Sequence, residues 1–397
     1  MFKNAYIPYK GYYATPFCKW QGSFANINSI ELGAKTAKRW MNEKKGLETP
    51  VHDYLYFGIT IGQKSVFYGS TWANVMMGAP DVPGITIMQA CSTSTTCICN
   101  AAMAVDQGLA SAPFCLMTDR ASNGPHTIWP NPQGFGGEVI SENWNMDNMG
   151  ADPSTGIGMS ITAENVAKEN GFTREDADRL ALRRYEQYQE ALADDRAFQK
   201  RYMFPAEIQV SKKRTILVEA DEGIFPTTAE GLTRLRPVVK DGIHTFGAQT
   251  HPADGNAGLF VTTRDRADEL SDDPNTLIKI VSYGYHRTKP SFMPQAPVPA
   301  VQKALDAASI TIKDVAVIKT HNPFAANDLY MAKALDINPN NFNNYGSSMI
   351  FGHPQGPTIG RLLIEGIEEA VLIGGGYVLV AGCAAGDTGA ALVLKVG

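Results

Sequence analysis

The chain has no excess of basic residues and no cysteine pairs at zinc-binding spacing. Its 397 residues include 35 Lys and Arg against 40 Asp and Glu, so the formal net charge is -5. Proteins that bind nucleic acid through their overall charge are basic, so this composition argues against that class. An anionic ligand then needs local groups such as Lys212 and Arg214, although basic runs of this kind also form ordinary solvated loops.

Six cysteines in a chain of this size predict reduced thiols rather than a disulfide framework. Cys97 and Cys99 lack a second pair at zinc spacing, so the sequence predicts no metal site. The first residues contain no apolar signal segment, and the uncharged, glycine-rich stretch of residues 370–386 is shorter than a membrane span. We interpret that stretch as two buried strands joined by a tight turn, and we expect a cytoplasmic protein without a membrane anchor.

Both ends of the chain alternate predicted strands and helices, which is typical of an α/β fold. The first part has predicted strands over residues 54–60, 84–88 and 114–117, with helices over Ile30 to Lys45 and after Cys91. The last part has predicted strands over residues 277–282, 315–319, 377–381 and 390–395, with helices over 297–308 and 358–369. We predict two similar halves, residues 1–121, completed by about 245–268, and residues 269–397.

Between the halves, residues 122–244 have a different texture. Pro, Asn, Gly and Trp are frequent first, and a strongly charged helix then follows Thr173, a good N-cap residue, and extends to about Ala197. Long insertions of this kind are often functional. We therefore expect a loop or cap domain that covers a site built by the two halves.

Cys91 is the first candidate for chemistry. It lies where the apolar run 84–88 meets small residues that predict the start of a helix. N–H groups at a helix N-terminus favour an anion, so a thiolate there is expected to have a pKa well below its usual value of about 8.5. The alternative is an inert buried cysteine, which is common in proteins.

Two further segments lie near the other end of the chain. His353, within residues 352–357, directly precedes a predicted helix and suits proton transfer beside a thiol. A lone histidine is more often structural. Cys383 lies in the Gly- and Ala-rich turn 381–389 between two apolar strands, where tight backbone can supply both a thiol and an N–H donor.

Taken in order, the segments resemble the thiolase family of acyl-CoA acyltransferases over nearly the whole chain. Residues 90–92, Ala-Cys-Ser, resemble the motif around the family's nucleophilic cysteine. The turn at Cys383 resembles the family's final motif, "CxGGGxG". Residues 159–167 resemble "MGxTAENVA" and residues 343–354 resemble "NxNGGxxxxGHP", the two specific matches. The remaining similarities are to "TPFG…LGA" at residues 15–34 and to "LRP" at residues 235–237.

This resemblance implies the five-layered αβαβα thiolase fold with the insert as a cap. Cys91 would be the nucleophile that becomes acylated, His353 would take its proton, and Cys383 would be the acid and base at C2 of the acyl donor. One oxyanion hole would use the N–H groups of Cys91 and Ala385, and the other the imidazoles of His321 and His353. Coenzyme A would be a co-substrate, with no tightly bound cofactor.

The chain departs from the family pattern at two places. Residues 321–324, His-Asn-Pro-Phe, stand where most thiolases have Asn-Glu-Ala-Phe, which resembles the histidine-containing, sterol-carrier-type thiolases. The loop at residues 247–258 lacks the usual serine near the pantetheine. We assign CoA contacts to Thr250 and His251 here and to Lys212 and Arg214 elsewhere, although a solvent-exposed loop histidine is the simpler interpretation of His251.

Aromatic residues in the insert bear on the substrate. Trp129, Phe135 and Trp144 lie where the family shapes its acyl pocket, which predicts a bulky or aromatic acyl group, as in thiolases of the benzoylsuccinyl-CoA kind. The alternative is that they pack a small core of the insert. The resemblance also predicts a homodimer or dimer of dimers, and some histidine-type relatives work with a separate small zinc-bearing OB-fold subunit.

The sequence thus predicts thiolytic cleavage of a β-ketoacyl-CoA, or the reverse Claisen condensation, through an acyl-cysteine. Three alternatives stay open. A decarboxylating synthase-like enzyme and a cysteine hydrolase would not need Cys383, and a non-catalytic thiolase-like subunit would bind acyl-CoA without turning it over.

Overall fold

The computed structural model describes residues 1–44 and 51–397. In the first half, the strands are β1 (Tyr12–Ala14), β2 (Cys18–Lys19), β3 (Leu55–Gly58), β4 (Gly84–Ile87) and β5 (Phe114–Arg120). The helices there are α1 (Ser29–Glu43), α2 (Gly69–Met77) and α3 (Thr93–Asp106). The helix predicted over Ile30 to Lys45 is α1, and its predicted last residue, Lys45, lies outside the described residues.

The insert consists of short elements around one long helix. They are β6 (His126–Pro130), β7 (Val139–Asn143), α4 (Met146–Gly150), α5 (Met159–Asn170), α6 (Arg174–Arg196), β8 (Ala206–Ser211), β9 (Arg214–Val218) and α7 (Ala229–Thr233). The predicted N-cap of α6 is confirmed, since the Thr173 side chain accepts from the N–H of Asp176 and the Asp176 carboxylate accepts from the N–H of Thr173. β6 pairs with β7 and β8 with β9, so the insert contains two separate antiparallel hairpins.

The chain then completes the first sheet and builds the second. The remaining elements are β10 (Ala253–Phe260), α8 (Arg264–Leu270), β11 (Ile278–Arg287), α9 (Pro297–Ala308), β12 (Val315–His321), α10 (Ala325–Leu335), α11 (Ser348–Phe351), α12 (Thr358–Leu372), β13 (Gly376–Ala384) and β14 (Thr388–Val396). The prediction for residues 370–386 is wrong in part. This stretch contains the last turn of α12 and only one strand, β13. The second strand of the predicted pair is β14, which begins at Thr388, after the stretch has ended.

The two sheets repeat one topology. The first has the order β1-β10-β5-β3-β4, with β2 beside β10, and the second has the order β11-β14-β13-β12. In each sheet, two antiparallel pairings are followed by a parallel one. In the first sheet these are β1 with β10, β10 with β5, and then β5 with β3. In the second they are β11 with β14, β14 with β13, and then β13 with β12.

Helices and sheets stack in five layers, which confirms the predicted fold class. α1 and α2 pack on the outer face of the first sheet, and α9 packs on the outer face of the second. α3 and α12 lie side by side between the sheets, where they contact β3 and β5 on one side and β12 and β13 on the other. Val105, Met117, Leu363 and Leu392 belong to the core of this central layer, and all are buried.

Within the described residues, no helix is both long and apolar enough to cross a membrane.

Candidate active site

Cys91 lies in a tight turn between β4 and the central helix α3. Residues Ala90–Ser92 form a single 3-10 turn, so the helix begins two residues after the cysteine. Ala90 has a φ of 46°, a left-handed conformation that is uncommon for a residue with a Cβ. The Ala90 carbonyl accepts from the hydroxyls of Thr60 and Thr93, at 3.1 and 2.8 Å. This strained turn presents the sulfur toward the C-terminal half.

His353 meets Cys91 from the loop before the other central helix, α12. Its Nε2 lies 3.1 Å from the Cys91 Sγ. Its Nδ1 lies 2.7 Å from the Thr358 hydroxyl oxygen. If Nδ1 carries the proton and donates to that hydroxyl, Nε2 presents its lone pair to the thiol. The pair therefore has the geometry of a nucleophile and its general base.

His321 ends β12 and completes the pair of imidazoles. Its Nδ1 lies 2.8 Å from the Ser348 hydroxyl oxygen, and its ring centroid lies 4.0 Å from that of His353. Its Nε2 is buried and has no hydrogen-bond partner among the described residues. A buried nitrogen without a partner is available to a bound substrate. Serine and threonine thus hold both rings by Nδ1 and leave both Nε2 atoms free for chemistry.

Cys383 lies near the end of β13, beside the end of β12. The parallel pairing sets His321 opposite Gly382, and Cys383 is the next residue. Burial and, next, the nearby Cys91 sulfur raise the pKa of the Cys383 thiol well above its usual range. The Cys383 side chain is fully buried, and the Asn327 amide donates to its sulfur at 3.2 Å. The structure therefore brings all four predicted side chains, Cys91, His321, His353 and Cys383, into one site.

Burial decides the protonation states of the site at rest. Removal from water raises the pKa of the Cys91 thiol to about 12, although the N–H groups of Ala385 and of Cys91 itself lower it in part. The same burial lowers the pKa of His353 to about 3 and that of His321 well below its usual range. The predicted low pKa of Cys91 is therefore wrong for the resting site. The site holds a neutral thiol and two neutral imidazoles until a ligand changes it.

Neutral imidazoles and a cysteine thiolate are also the ligands that zinc prefers, and Cys91 would have to lose its proton to serve as one. The ligand atoms of Cys91, His321 and His353 all lie within 4.8 Å of one another. These residues are far apart in sequence, so no spacing pattern indicated such a cluster.

Asp119, at the end of β5, holds the loops around the site together. Its carboxylate accepts from the N–H groups of Ile61 and Gly356, both at 2.7 Å, and of Thr60 at 2.9 Å. Burial raises its pKa to about 8, while the same N–H donors lower it. Because Gly356 follows the His353 loop and Thr60 binds the Ala90 carbonyl, one carboxyl group fixes both sides of the Cys91–His353 pair.

A cavity of about 200 Å³ opens onto the Cys91 sulfur and the His353 ring. Its apolar wall comes largely from Met146, Met149, Met159, Met293 and Phe324. Methionine is unbranched and adapts its shape, so this wall fits a flexible apolar group. Ala385 lines the same cavity next to the nucleophile.

The predicted CoA contacts divide into two groups. Thr250 and His251 line the cavity, and His251 accepts the N–H of His353 through its carbonyl at 2.8 Å. Lys212 and Arg214 are exposed at the turn between β8 and β9 and do not line the cavity. Their contact with CoA stays a prediction.

The aromatic residues of the insert do not line the cavity. Trp129 and Phe135 belong to the β6–β7 hairpin and its turn, where their side chains are 49% and 98% exposed. Trp144 is half-buried, and its indole N–H donates to the Thr60 carbonyl at 3.1 Å. The structure thus gives no support to an aromatic acyl pocket built by these residues, and Trp129 and Phe135 do not pack a core of the insert either.

Two polar residues of the site were missed in the sequence. Asn327 follows the His321 segment on α10, and Gln355 stands two residues after His353. The Gln355 side-chain oxygen lies 3.3 Å from the Cys91 sulfur. Only its place in the loop of a predicted general base could have singled it out.

Comparisons with known proteins agree with this geometry. The profile for the thiolase N-terminal domain matches residues 11–265, and that for the thiolase C-terminal domain matches residues 275–396. Human mitochondrial 3-ketoacyl-CoA thiolase is 26% identical over 387 residues, which cover 96% of each chain. The 3-ketoacyl-CoA thiolase of Bacillus subtilis is 27% identical over 390 residues, which cover 95% of each chain.

Solved structures show the same fold over the whole chain. The Bacillus anthracis acetyl-CoA acetyltransferase superposes with a TM-score of 0.91 at 26% identity, covering 100% of this chain and 99% of that one. Human mitochondrial 3-ketoacyl-CoA thiolase in complex with CoA gives a TM-score of 0.89 at 26% identity, covering 100% and 98%. The chain belongs to the thiolase family, a family of acyltransferases.

Proposed function

We propose that the protein is a CoA-dependent thiolase that cleaves a β-ketoacyl-CoA, or forms one by the reverse condensation, through an acylated Cys91. The observation that carries the proposal is a cavity that opens onto a thiol–imidazole pair, beside which lie a second cysteine and an imidazole whose Nε2 has no partner among the described residues. Thr250 and His251 line that cavity, which supports their contact with the pantetheine arm of CoA.

The first half-reaction begins with proton transfer from the Cys91 sulfur to the His353 Nε2, 3.1 Å away. The sulfur attacks the C3 carbonyl of the β-ketoacyl-CoA, and the new alkoxide is stabilised by the N–H groups of Cys91 and Ala385. The C2–C3 bond then breaks, which leaves an acyl thioester on Cys91 and the enolate of acetyl-CoA. Cys383 protonates C2 of that enolate.

His321 and His353 stabilise the enolate while it exists. The charge of the enolate sits on the thioester oxygen, where it would accept from the His353 ring at the cavity and from the unpartnered Nε2 of the adjacent His321 ring. The loss of one such donor typically costs about 2.7–4 kcal/mol of transition-state stabilisation. In the second half-reaction, the thiol of free CoA gives its proton to the Cys383 thiolate and attacks the acyl-Cys91 carbonyl. Acyl-CoA is released, and the Cys91 sulfur takes its proton back from His353.

A buried thiol and a buried imidazole suit this sequence of steps. Both groups are neutral at rest, so an empty site does not expose a reactive thiolate. A bound acyl-CoA brings a polar carbonyl and thioester into the cavity, where the separated charges can form beside their partners. Activity therefore depends on the substrate completing the site.

The methionine-lined wall supports a flexible aliphatic acyl group of modest size rather than the aromatic group predicted from the insert. His321 favours the histidine-containing, sterol-carrier-type branch of the family. Cys383 beside Asn327 argues against a decarboxylating synthase, which needs no second catalytic thiol. The complete set of polar groups argues against a non-catalytic subunit.

We also propose the homodimer that the family resemblance implies. β4 is an edge strand of its sheet, and Ile85 on it and Met88 just after it are 46% and 52% exposed. An edge strand with exposed apolar side chains is a typical association surface. Light scattering of the purified chain tests the dimer, and addition of a small zinc OB-fold protein tests the further partner.

A thiolysis assay tests the proposed function. The purified chain is mixed with free CoA and a series of β-ketoacyl-CoAs of increasing aliphatic length, together with one aryl member, and the loss of substrate and the formation of acetyl-CoA are followed. We expect turnover of a short aliphatic member and none by Cys91→Ser. Carbon dioxide release from a malonyl thioester without thiolysis would favour the synthase, and binding without turnover would favour the non-catalytic subunit.

A further inference from the structure

Gln355 occupies an unusual backbone position in the loop of the general base. Its φ is 70°, in the left-handed region that favours glycine, while the next residue, Gly356, does not use that region. The residue is only 4% exposed, so contact with water does not explain why a polar side chain occupies this position. A glycine at position 355 would adopt this backbone without strain. Strain of this kind, kept by a surrounding structure, is found most often at functional sites.

The side chain of Gln355 reaches the reacting atoms. Its Oε1 lies 3.3 Å from the Cys91 Sγ, which itself lies 3.1 Å from the His353 Nε2. The sulfur proton thus has two acceptors, the imidazole and the amide oxygen. Gln355 also lines the cavity that opens onto both groups. No structural hydrogen bond elsewhere accounts for this orientation of Oε1 among the described residues.

We propose that Gln355 is a further residue of the catalytic centre that supports transfer of the Cys91 proton to His353. At rest, the amide oxygen accepts from the S–H group. When the S–H bond breaks and the Nε2–H bond forms, the same oxygen accepts from the imidazolium. The amide neither gains nor loses a proton.

The direction of the effect follows from the strength of the two hydrogen bonds. A thiol is a weak donor, whereas a hydrogen bond from a charged donor is roughly twice as strong as a neutral one. The amide oxygen therefore stabilises the thiolate–imidazolium state more than the neutral state. In agreement, the hydrogen bond to Gln355 raises the pKa of His353, against the larger lowering by burial.

Alkylation of Cys91 tests this role without any substrate. The second-order rate constant for iodoacetamide is measured at Cys91 by peptide mass spectrometry at roughly pH 6 to 10 for the whole chain. Gln355→Met keeps the length of the side chain and removes the amide. We expect its alkylation rate at each pH to be about ten-fold lower than that of the unaltered chain, equivalent to about 1.4 kcal/mol. Gln302→Met, the same change on the exposed face of α9, should have no effect.

A second variant separates the amide from the strained backbone. Gln355→Gly removes the amide and relaxes the backbone, so we expect the same ten-fold loss, together with an unfolding temperature no lower than that of Gln355→Met. The inference is overturned if either Gln355 variant alkylates at the rate of the unaltered chain. If Gln355→Met does not fold, Gln355→Gly gives the result.

Although the inference builds on the thiol–imidazole pair of the proposed function, the two can fail separately. A ten-fold loss of alkylation in a chain that cleaves no β-ketoacyl-CoA would support Gln355 and reject the thiolase. In a chain with turnover, Gln355→Met should lower kcat by a similar factor and leave KM nearly unchanged, because the amide acts in proton transfer rather than in substrate binding.

Discussion

The two halves share a topology but contribute unequally to the site. The first half supplies Cys91, the proposed nucleophile, from the turn before α3. The second supplies His353 from the loop before α12, His321 from the end of β12 and Cys383 from β13. Where the second half joins β13 to β14 by three residues, the first joins β5 to β10 through residues 121–252. One half thus carries the sulfur proposed to react and the long insert, and the other carries the groups proposed to transfer protons.

Equivalent turns precede the two central helices. Ala90 stands three residues before Thr93, the first residue of α3, and Gln355 stands three residues before Thr358, the first residue of α12. Both have positive φ, and in both turns the threonine N–H donates to the carbonyl of the strained residue. The comparison teaches that one turn geometry serves two tasks, presentation of a sulfur in one half and of an amide in the other.

The largest expected effect comes from removing either the proposed nucleophile in one half or the proposed base in the other. Cys91→Ala and His353→Ala should each lower kcat by more than about 10⁴-fold, because residues that act as a unit are lost together. The double variant should be no worse than Cys91→Ala, as measured by thiolysis. Additive losses would mean that the two halves act independently.

The central helices also differ in charge, which predicts a difference in stability. On α12, Arg361 is fully buried and its guanidinium binds both oxygens of Asp221 at 2.7 and 2.8 Å, whereas α3 has no charged residue before Asp106. Arg361→Met should lower the free energy of unfolding by about 3–5 kcal/mol, since it leaves a buried carboxylate unpaired.

A control on the other central helix sharpens this prediction. Asn100→Ala on α3 removes one hydrogen bond within that helix and should cost about 1 kcal/mol. Urea denaturation of both variants measures the difference. Equal losses would show that the buried charges of α12 have no special role in stability.

His353 and Cys91, one from each half, should contribute to the pH dependence of stability at opposite ends of the scale. Burial lowers the pKa of His353 to about 3, so the unfolded chain binds a proton there that the folded chain does not, and stability falls as pH drops from about 6.5 toward 3. Burial raises the pKa of Cys91 to about 12, so stability falls as pH rises from about 9 toward 12.

Urea titrations at a series of pH values separate these contributions. His353→Asn should weaken the acid-side loss and leave the alkaline side unchanged. Cys91→Ala should do the reverse. If both variants keep the profile of the unaltered chain, the two groups are not buried in the neutral forms assigned to them.

The smallest effect is expected at the strained turn of the first half. Ala90→Gly should raise the free energy of unfolding by about 0.5–1 kcal/mol, because glycine adopts a φ of 46° at little cost. The turn that carries Cys91 should keep its shape, so kcat should change by less than about two-fold. A destabilised variant would mean that the Ala90 methyl group contributes more packing than the backbone loses in strain.

Much of the fold could be predicted because local patterns agreed with tertiary structure. The bounds of α9, Pro297–Ala308, and the N-cap of α6 at Thr173 follow from helix signals within a few residues. The four reactive side chains could be identified because their segments combine small residues with chemistry-bearing ones. Their assembly into one site depends on how the two halves pack. Local sequence patterns do not show that packing, and only the family resemblance implied it.

What could not be predicted depends on burial and on three-dimensional position. The sign of the Cys91 pKa shift was wrong because the helix N-terminus is a local feature, whereas the opposing desolvation comes from the whole fold. Trp129 was assigned to a pocket from its place in the chain, although the β6–β7 hairpin projects it outward. Gln355 matched no expected motif, and its approach to Cys91 crosses 264 positions of sequence.

Intact-protein mass spectrometry is the most direct test of the claim that the two halves form one acyl-transfer site. The chain is incubated with a reactive β-ketoacyl-CoA in the absence of free CoA, so that the acyl-enzyme has no acceptor. The account predicts a mass increase equal to the acyl group, mapped to Cys91, absent in Cys91→Ser and strongly reduced in His353→Ala. Turnover without any adduct on Cys91, or an adduct that persists in Cys91→Ser, would contradict it.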